Sequence, residues 1–437
     1  MIETLKAAWR LPDLRKKILF TLFMLIVFRL GSAIPVPGLQ PGMLGAISQT
    51  GEFNMFSIMN LFSGGAFSQA TIFAMGISPY INSSIIMQLL TVAIPALERL
   101  QKEGEEGRKK IQSITRWVTV VLALIQGIGI YFLLIQYQMT IKPYANFLDG
   151  FIVVATLTAG TAFVMWLGEQ ITDKGIGNGI SLIIFIGIVA SIPAIINNVI
   201  MSFDFRTEWW IELLIVVYAL AMIAFVVYFD SSERRIPVQY SKRVVGRKMY
   251  GGQATYIPLK VAMAGVLPII FAISILSFPT TIIQLTTGQT EVAKIEAAGH
   301  PWLANIVEIF SPGNWVYCVI YFLLIIAFTY FYTSISFNPI EISNNMKKNG
   351  GFIPGIRPGK PTSDFISKVL ARINLAGALF LSIVAVLPLV LGLIFPKFAT
   401  LGLIGGSSVL ILVGVALETV KQVEAQMMMR HYKGFLD

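Results

Sequence analysis

Residues that hold metals and disulfides are almost missing from this chain. It has one cysteine, Cys318, and two histidines, His300 and His431, among 437 residues. One cysteine cannot form an internal disulfide, and a lone cysteine with two distant histidines cannot supply the clustered ligands of a zinc-type site. The sequence therefore predicts no metal, no cofactor and no disulfide framework.

Charged residues are also scarce. They make up 13% of the chain, whereas hydrophobic residues make up 55%. Soluble domains carry about twice that charged fraction. A bilayer core requires about 20 apolar residues for each crossing helix. The chain has no barrel-like alternation, so each crossing must satisfy its backbone within a helix. The composition predicts an all-α polytopic membrane protein.

Ten stretches are long and apolar enough to cross a membrane, and we refer to them as spans 1 to 10. Their predicted bounds are 17–35, 70–95, 114–136, 151–171, 180–199, 210–229, 261–283, 315–334, 373–394 and 398–417. Most of the 33 Lys and Arg residues fall at the termini and in alternate loops, which predicts cytoplasmic termini. Spans 1–5 and 6–10 would form two halves of opposite orientation, residues 1–200 and 201–437.

The stretch 55–94 differs from a lipid-facing helix. Its first third is apolar but is interrupted by Gly64 and Gly65 before it could cross, and the remainder carries Ser83, Ser84 and other polar residues. A short apolar helix followed by a polar, full-length one is typical of a segment that lines or closes a path. Single Ser or Asn residues also hold membrane helices together, at about 1 kcal/mol or less each. The cluster, rather than any one residue, favours a path.

Ionisable residues are nearly absent from the predicted spans. Arg29 lies in span 1, and Glu169 and Glu418 lie near predicted cytoplasmic ends. Ion-coupled transporters usually keep ionisable groups at mid-membrane, and an intramembrane enzyme needs a catalytic dyad or a metal site. The scarcity argues against both classes. A small-solute secondary transporter stays open as the alternative function, because transporters share the plan of two inverted halves.

Two predicted cytoplasmic loops, residues 230–260 and 336–371, are longer than the topology requires. The first has β-branched runs on both sides of Gly246, which predict a hairpin with a basic tip. In the second, Gly and Pro residues on both sides of Arg357 predict a turn that presents its side chain. Rigid connectors could have this composition too, but projecting basic loops favour docking of an acidic partner such as RNA or an acidic protein face.

Ten short motifs stand in order along the whole chain. They are FRLG at 28–31, IPVPG at 34–38, NLFSGGA at 60–66, GISPYI at 76–81, KEGEEGR at 102–108, WLGEQIT at 166–172, GIGNGIS at 175–181, PLK at 258–260, FNP at 337–339 and PGIRPG at 354–359. In these motifs the chain resembles the SecY family, the central subunit of the bacterial protein-translocation channel. Their number and their order make the resemblance very specific.

The resemblance implies two pseudo-symmetric five-helix halves, an inverted repeat, around a central hourglass pore. A ring of apolar side chains would close the waist: Ile77, Ile81, Ile180, Ile184, Ile270 and Ile411. A plug within about 56–68 would close the outer funnel, centred on Phe62, Ser63, Gly64, Gly65 and Ala66. A lateral gate between spans 2–3 and spans 7–8 would include Ser83, Ser84, Met87, Gln88, Ser274, Ser277 and Phe278. The i, i+4 spacing of the first two isoleucine pairs agrees with this, because it puts both members on one helical face.

The resemblance also implies a function without catalysis. Secretory preproteins would cross the bacterial plasma (inner) membrane through the pore, and membrane-protein segments would leave it sideways into the bilayer. Signal peptides and nascent chains would be the substrates, and SecE and SecG the membrane partners. The SecA motor or the ribosome, with its rRNA and the proteins near its exit tunnel, would dock on the long loops. The predicted docking residues are Arg243, Arg247, Lys248 and Arg357.

Overall fold

Helices dominate the computed structural model, which describes residues 8–39, 42, 55–136, 147–202, 209–240, 243–245, 248–250, 254–287, 301–395 and 405–433. The helices are α1 (Pro12–Gly31), α2 (Met55–Phe62), α3 (Ser78–Ala93), α4 (Pro95–Lys102), α5 (Glu105–Gln136), α6 (Phe147–Lys174), α7 (Gly179–Ser202), α8 (Trp209–Asp230), α9 (Leu267–Thr287), α10 (Pro301–Ile309), α11 (Trp315–Ser336), α12 (Pro339–Lys348), α13 (Lys360–Ile394) and α14 (Gly406–Lys433). The strands are β1 (Glu233–Tyr240), β2 (Arg243–Val245), β3 (Lys248–Tyr250), β4 (Ala254–Lys260) and β5 (Gly351–Phe352).

Each predicted span coincides with a helix, in the order α1, α3, α5, α6, α7, α8, α9, α11, α13 and α14. Six helical stretches of the described chain are long and apolar enough to cross a membrane, and α3 with α4 forms a further pair bent by 99°. Along α8, Leu213, Val217 and Leu220 are each more than half exposed, as expected of a surface that faces lipid. The all-α membrane class is confirmed. The turn predicted after span 9 begins at Phe395, and the rest of it lies outside the described residues.

Span 2 begins later than its apolar pattern predicts. The prediction starts it at residue 70, but α3 starts at Ser78. The residues before α3 pair instead with the segment after α1: the Val36 N–H donates to the Ala70 carbonyl at 2.9 Å, and the Ile72 N–H donates to the Ile34 carbonyl at 3.0 Å. The Ala70 carbonyl, which would accept the first intrahelical bond of a helix that began there, is bonded to Val36 instead, and the helix begins only at Ser78.

One apolar cluster joins the two predicted halves. Its buried side chains come from α1, α2, the start of α3, α6, α7, α8, α9, α11, α13 and α14. Because helices of both predicted halves contribute, the two halves share one continuous apolar interior.

The two long loops fold together as one small unit, which we call the loop domain. Strand β1 pairs antiparallel with β4 on one side and with β5 on the other, giving the order β4-β1-β5. The inward side chains of β1, Ile236 and Val238, are buried with Leu259, Met346 and Ile353. The first loop supplies β1 and β4, and the second supplies β5, so neither loop is an independent connector.

The second loop, predicted at 336–371, contains regular secondary structure that the prediction did not include. It contains α12 and β5, and α13 already starts at Lys360, well before the predicted start of span 9. Asn338 caps α12, because its side-chain Oδ1 accepts from the Ile340 N–H at 3.1 Å. The first turns of α13 are polar, so a search for apolar stretches cannot detect them.

An ion pair fixes α5 to α6. The Glu169 carboxylate is 8% exposed. Its Oε1 accepts from the Arg116 Nε at 2.8 Å and from the Gln112 Nε2 at 3.2 Å. Removing one partner of such a pair leaves the other charge in an environment that solvates it poorly.

The Arg116→Met variant is therefore expected to be less stable. The Arg116 side chain is 46% exposed, so we expect a loss of about 1 to 2 kcal/mol rather than the about 3 to 5 kcal/mol of a fully buried pair. Thermal unfolding can be followed by labelling Cys318, the one cysteine of the chain, which is buried. Arg108→Met, at an exposed position of the same helix, is the control. Equal midpoints of thermal unfolding for Arg116→Met and Arg108→Met would contradict the prediction.

Candidate functional site

The predicted plug contains a short helix that ends where the glycine pair predicts. Helix α2 stops at Phe62, and Gly64 and Gly65 follow with φ angles of +66° and +86°. Glycine adopts these angles without the strain that a side chain would add. Phe62, Ser63 and Ala66 are buried. The glycine pair therefore turns the chain sharply while the residues around it pack into the interior.

The plug rests on the backbone of α7 at a second glycine. A Cβ atom placed on Gly187 would lie 2.3 Å from the Phe62 carbonyl oxygen, and one placed on Gly64 would lie 3.0 Å from the Gly187 Cα. A methyl group on Gly187 has no room while the plug is in place, and one on Gly64 would be crowded at a φ that disfavours a side chain. We call this contact the plug seat. Sequence reasoning missed Gly187. A glycine inside a helix costs about 1 kcal/mol, so it often has a packing reason, and that signal could have found it.

The six predicted ring isoleucines all lie in the apolar cluster that joins the halves. Five are buried, namely Ile77, Ile81, Ile184, Ile270 and Ile411, and Ile180 packs against them partly buried. They come from the start of α3, from α7, from α9 and from α14. Phe62 and Ala66 of the plug belong to the same cluster. Burial alone does not single these six out, because Ile183 and Ile269 are buried equally well, and the ring stays a prediction.

The two sides of the predicted lateral gate touch each other. Helix α9 packs against both α3 and α5. On α3, Met87 is buried, and the Gln88 Nε2 donates to the Ser84 Oγ at 3.4 Å. On α9, the Ser277 Oγ donates to the Ser274 carbonyl at 2.9 Å. The Phe278 side chain is 48% exposed. This side of the bundle is closed in the structure.

Ser83 has a different environment from the other predicted gate residues. It is completely buried, and its Oγ donates to the Thr115 carbonyl of α5 at 2.8 Å. Helices α3 and α5 lie on the same side of the predicted gate. In this structure Ser83 thus holds two neighbouring helices together, as serine often does in membranes. A contact with a passing segment stays a prediction for this residue.

Arg357 is exposed on a turn that is fixed from both sides. Gly355 and Gly359 have φ angles of +82° and +104°. The Arg357 carbonyl accepts from the Thr362 Oγ1 at 2.8 Å, and the Gly359 carbonyl accepts from the Ser343 Oγ at 2.8 Å. The turn is therefore held through backbone carbonyls, and the guanidinium is left available. Its docking role stays a prediction.

The hairpin predicted in the first loop is present as β2 and β3. These strands are antiparallel, with Arg243 opposite Tyr250 and Val245 opposite Lys248. Arg247 lies outside the described residues. The hairpin lies in the chain between β1 and β4, and its two strands form a sheet of their own.

Exposed positive charge, rather than a reactive group, characterises the loop domain. The Arg235 Nε donates to the Glu233 Oε1 at 2.7 Å, and this hydrogen bond raises the pKa of Arg235. Its guanidinium lies 4.8 Å from the Tyr256 ring centre, a cation–π distance. Within the described ranges, no group of three His, Cys, Asp or Glu residues could hold a metal ion. The arrangement offers an apolar seal and a basic surface.

Sequence comparisons agree with the resemblance. The family model SecY matches residues 71–420. Proteins described as protein translocase subunit SecY are 45% identical to this chain in Streptomyces scabiei, Halalkalibacterium halodurans and Mycobacterium bovis. The alignments extend over 452, 446 and 453 residues and cover the whole of both chains in each case.

Solved structures share the fold. A structure described as that of a protein conducting channel aligns with a TM-score of 0.62 at 18% identity, over 94% of this chain and 92% of that one. The idle yeast Ssh1 complex bound to the yeast 80S ribosome contains a chain that aligns with a TM-score of 0.62 at 16% identity, over 95% of this chain and 89% of that one. At these identities the likeness concerns the fold alone.

Proposed function

The chain belongs to the SecY family of protein translocase subunits, and we propose that residues 1–200 and 201–437 form the two halves of its gated pore. Its function is transport rather than catalysis. Secretory preproteins pass through the central channel subunit across the bacterial plasma membrane, and membrane-protein segments leave it laterally. The ring isoleucines form the waist of the pore, and residues 56–68 close it from outside.

One observation carries this proposal: Phe62 and Ala66 of the plug and all six ring residues meet in a single apolar cluster. The side chains of these eight residues offer neither charge nor hydrogen bonds to an ion. A constriction of this kind excludes ions by dewetting. It can widen around a peptide and leaves no strong binding site behind. A small-solute transporter needs charged or coordinating groups near mid-membrane, which the ring does not supply.

The lateral exit lies where α9 packs against α3 and α5. Opening moves spans 7 and 8 away from spans 2 and 3, so that Met87, Gln88, Ser274 and Phe278 face the gap. A sufficiently apolar segment then enters lipid, because burying its apolar surface there is favourable by about 25 cal/mol per Å². A polar segment stays in the pore and is translocated.

The loop domain faces the cytoplasm in this proposal, and so do both termini. The positive-inside rule supports this orientation. The basic side chains on the loops, Arg243, Arg247, Lys248 and Arg357, dock the SecA motor or the ribosome. SecE and SecG complete the complex in the membrane. The ribosome-bound yeast Ssh1 complex supports the ribosome as a partner, since rRNA phosphates attract exposed Lys and Arg.

Strand β4 connects docking to the gate. It ends at Lys260, and the gate helix α9 begins at Leu267. Because β4 is paired along its length with β1, the strands move as a unit. A partner that displaces the β2–β3 hairpin therefore pulls on the start of α9. This gives a docked motor or ribosome a short mechanical route to the gate.

Reconstitution tests the proposal most directly. The chain is placed in vesicles with SecE and SecG, and SecA, ATP and a secretory preprotein are added. Protection of the preprotein from external protease, dependent on ATP, is the expected result. Uptake of a small solute without any preprotein protection would overturn the proposal in favour of a secondary transporter.

The Arg357→Glu variant is expected to weaken docking without unfolding the loop domain. The turn is held by bonds to backbone carbonyls, so it survives the substitution, while a charge of the wrong sign faces the partner. We expect Kd for SecA or for ribosomes to rise about tenfold at low salt, with a smaller effect at high salt. Lys368→Glu, an exposed position of α13, is the charge-matched control. Docking of wild-type strength by Arg357→Glu would remove this turn from the mechanism.

A further inference from the structure

The ionisable residue predicted in span 1 contacts the plug directly. Arg29 lies in the last turn of α1, and its Nη1 donates to the Gly64 carbonyl oxygen at 2.8 Å. The two residues are 35 positions apart in the chain. The acceptor belongs to the left-handed turn that ends the plug helix. The bond therefore joins α1 to the plug at its glycine hinge.

Three segments of the chain meet at Gly64: the plug, α7 and the end of α1. A Cβ atom on Gly64 would meet the Gly187 Cα at 3.0 Å and the Arg29 Nη1 at 3.3 Å. The turn is thus enclosed by α7 on one side and by the guanidinium on another. Arginine suits this position because its charge is permanent and its planar donors have a fixed geometry. A charge within a membrane span is costly and usually has a partner.

We propose that Arg29 is a latch that holds the plug in its seat. This inference rests on the proposed function, because it names the residue that positions the plug in the closed channel. The bond exists only while Gly64 is seated. When the plug leaves, the carbonyl leaves the guanidinium, so the contact favours the closed state over the open one. A differential contact of this kind is what shifts a two-state equilibrium.

The Arg29→Met variant is expected to leak. Methionine fills similar space but donates no hydrogen bond, so the seated state loses a charged hydrogen bond that the open state never had. We expect the ion conductance of bilayers containing the variant complex with SecE and SecG, without substrate, to rise about tenfold. Arg29→Lys keeps the charge and a donor, and should recover part of the seal. Arg15→Met, an exposed position of the same helix, is the matched control and should conduct like the wild type.

A double-mutant cycle separates a latch from a general structural role. Gly64→Ala strains the same contact from the plug side, because its methyl would crowd the Gly187 Cα at 3.0 Å and the Arg29 Nη1 at 3.3 Å. If Arg29 acts through the plug, Arg29→Met combined with Gly64→Ala leaks no more than the leakier single variant. Additive leaks would overturn the latch, and so would wild-type conductance of Arg29→Met. If the Arg29→Met protein does not accumulate in cells, the resting conductance of Gly64→Ala is compared with that of Gly104→Ala instead. Gly104 also has a positive φ, with open space around it, so equal leaks from these two would overturn the latch.

These outcomes are distinct from failure of the proposed function. If wild-type vesicles take up no preprotein, the proposed function fails whatever the conductance of the Arg29 variants. If preprotein uptake is normal and Arg29→Met seals like the wild type, the latch fails and the channel remains. The two results come from different assays, bilayer conductance and vesicle uptake, on the same reconstituted complexes.

Discussion

Channels carrying Ile411→Asn are expected to conduct ions at rest and to accept preproteins with defective signal sequences. Ile411 is completely buried in the cluster that contains the plug. An asparagine there places an amide in a site without partners, which costs about 1 to 3 kcal/mol as long as the waist stays dry. A hydrated, open waist relieves that cost. The equilibrium should therefore shift toward the open state by about tenfold to a hundredfold.

Two measurements check this result. Bilayer conductance reports the leak, and vesicle uptake of a preprotein with a weakened signal sequence reports the lost stringency. Ile411→Val is the control, because it keeps an apolar, branched side chain and should change both readouts little. Unchanged leak and stringency in Ile411→Asn would count against Ile411 as part of the ring.

Gly187→Ala is expected to open the channel by displacing the plug from α7. A methyl group on Gly187 would lie 2.3 Å from the Phe62 carbonyl oxygen, far inside van der Waals contact. Both atoms belong to or adjoin the backbone, so no side-chain rotation relieves the clash. The plug helix must move off α7, which breaks the plug seat while α7 gains helix propensity. We expect a strong resting leak, with preprotein uptake retained because the moving part has left the path.

The matched control is Gly127→Ala in α5. A methyl on Gly127 would meet its nearest neighbour, the Val154 Cγ1, at 3.5 Å, an ordinary packing distance. Both variants make the same chemical change inside a long helix, and only one of them meets the plug. A sealed Gly187→Ala channel would show that the plug does not rest on α7 in the membrane.

The helices could be predicted from the sequence because a bilayer makes local apolarity decisive. Every predicted span coincides with a helix. The end of the plug helix was predicted correctly for a local reason too, since Gly64 and Gly65 adopt angles that favour glycine. Arg357 lies on its predicted turn for the same kind of reason. Where the residue type itself determines the backbone conformation, the sequence was sufficient to predict the structure.

Partnerships between distant segments could not be predicted. Nothing near Ala70 in the sequence signals that its carbonyl accepts from Val36, so span 2 was started too early. Strand β5 has two residues and is stable only because β1 offers its edge. Nothing in the sequence around Ser83 indicates that its hydroxyl donates to the Thr115 carbonyl of α5. Each of these depends on which segments meet in space, and a single sequence carries no direct record of that.

The anchored segment behind the plug has a kinetic consequence. Ala70 and Ile72 are held to the segment after α1 by their bonds with Val36 and Ile34, so the plug stays attached to an anchored segment of the chain when it leaves its seat. Reclosure is then a first-order, intramolecular step. A short tether of this kind gives an effective concentration in about the millimolar range. In the proposed channel, the plug would therefore reseal the membrane at a rate independent of how many channels it contains, once the translocated chain has cleared the waist.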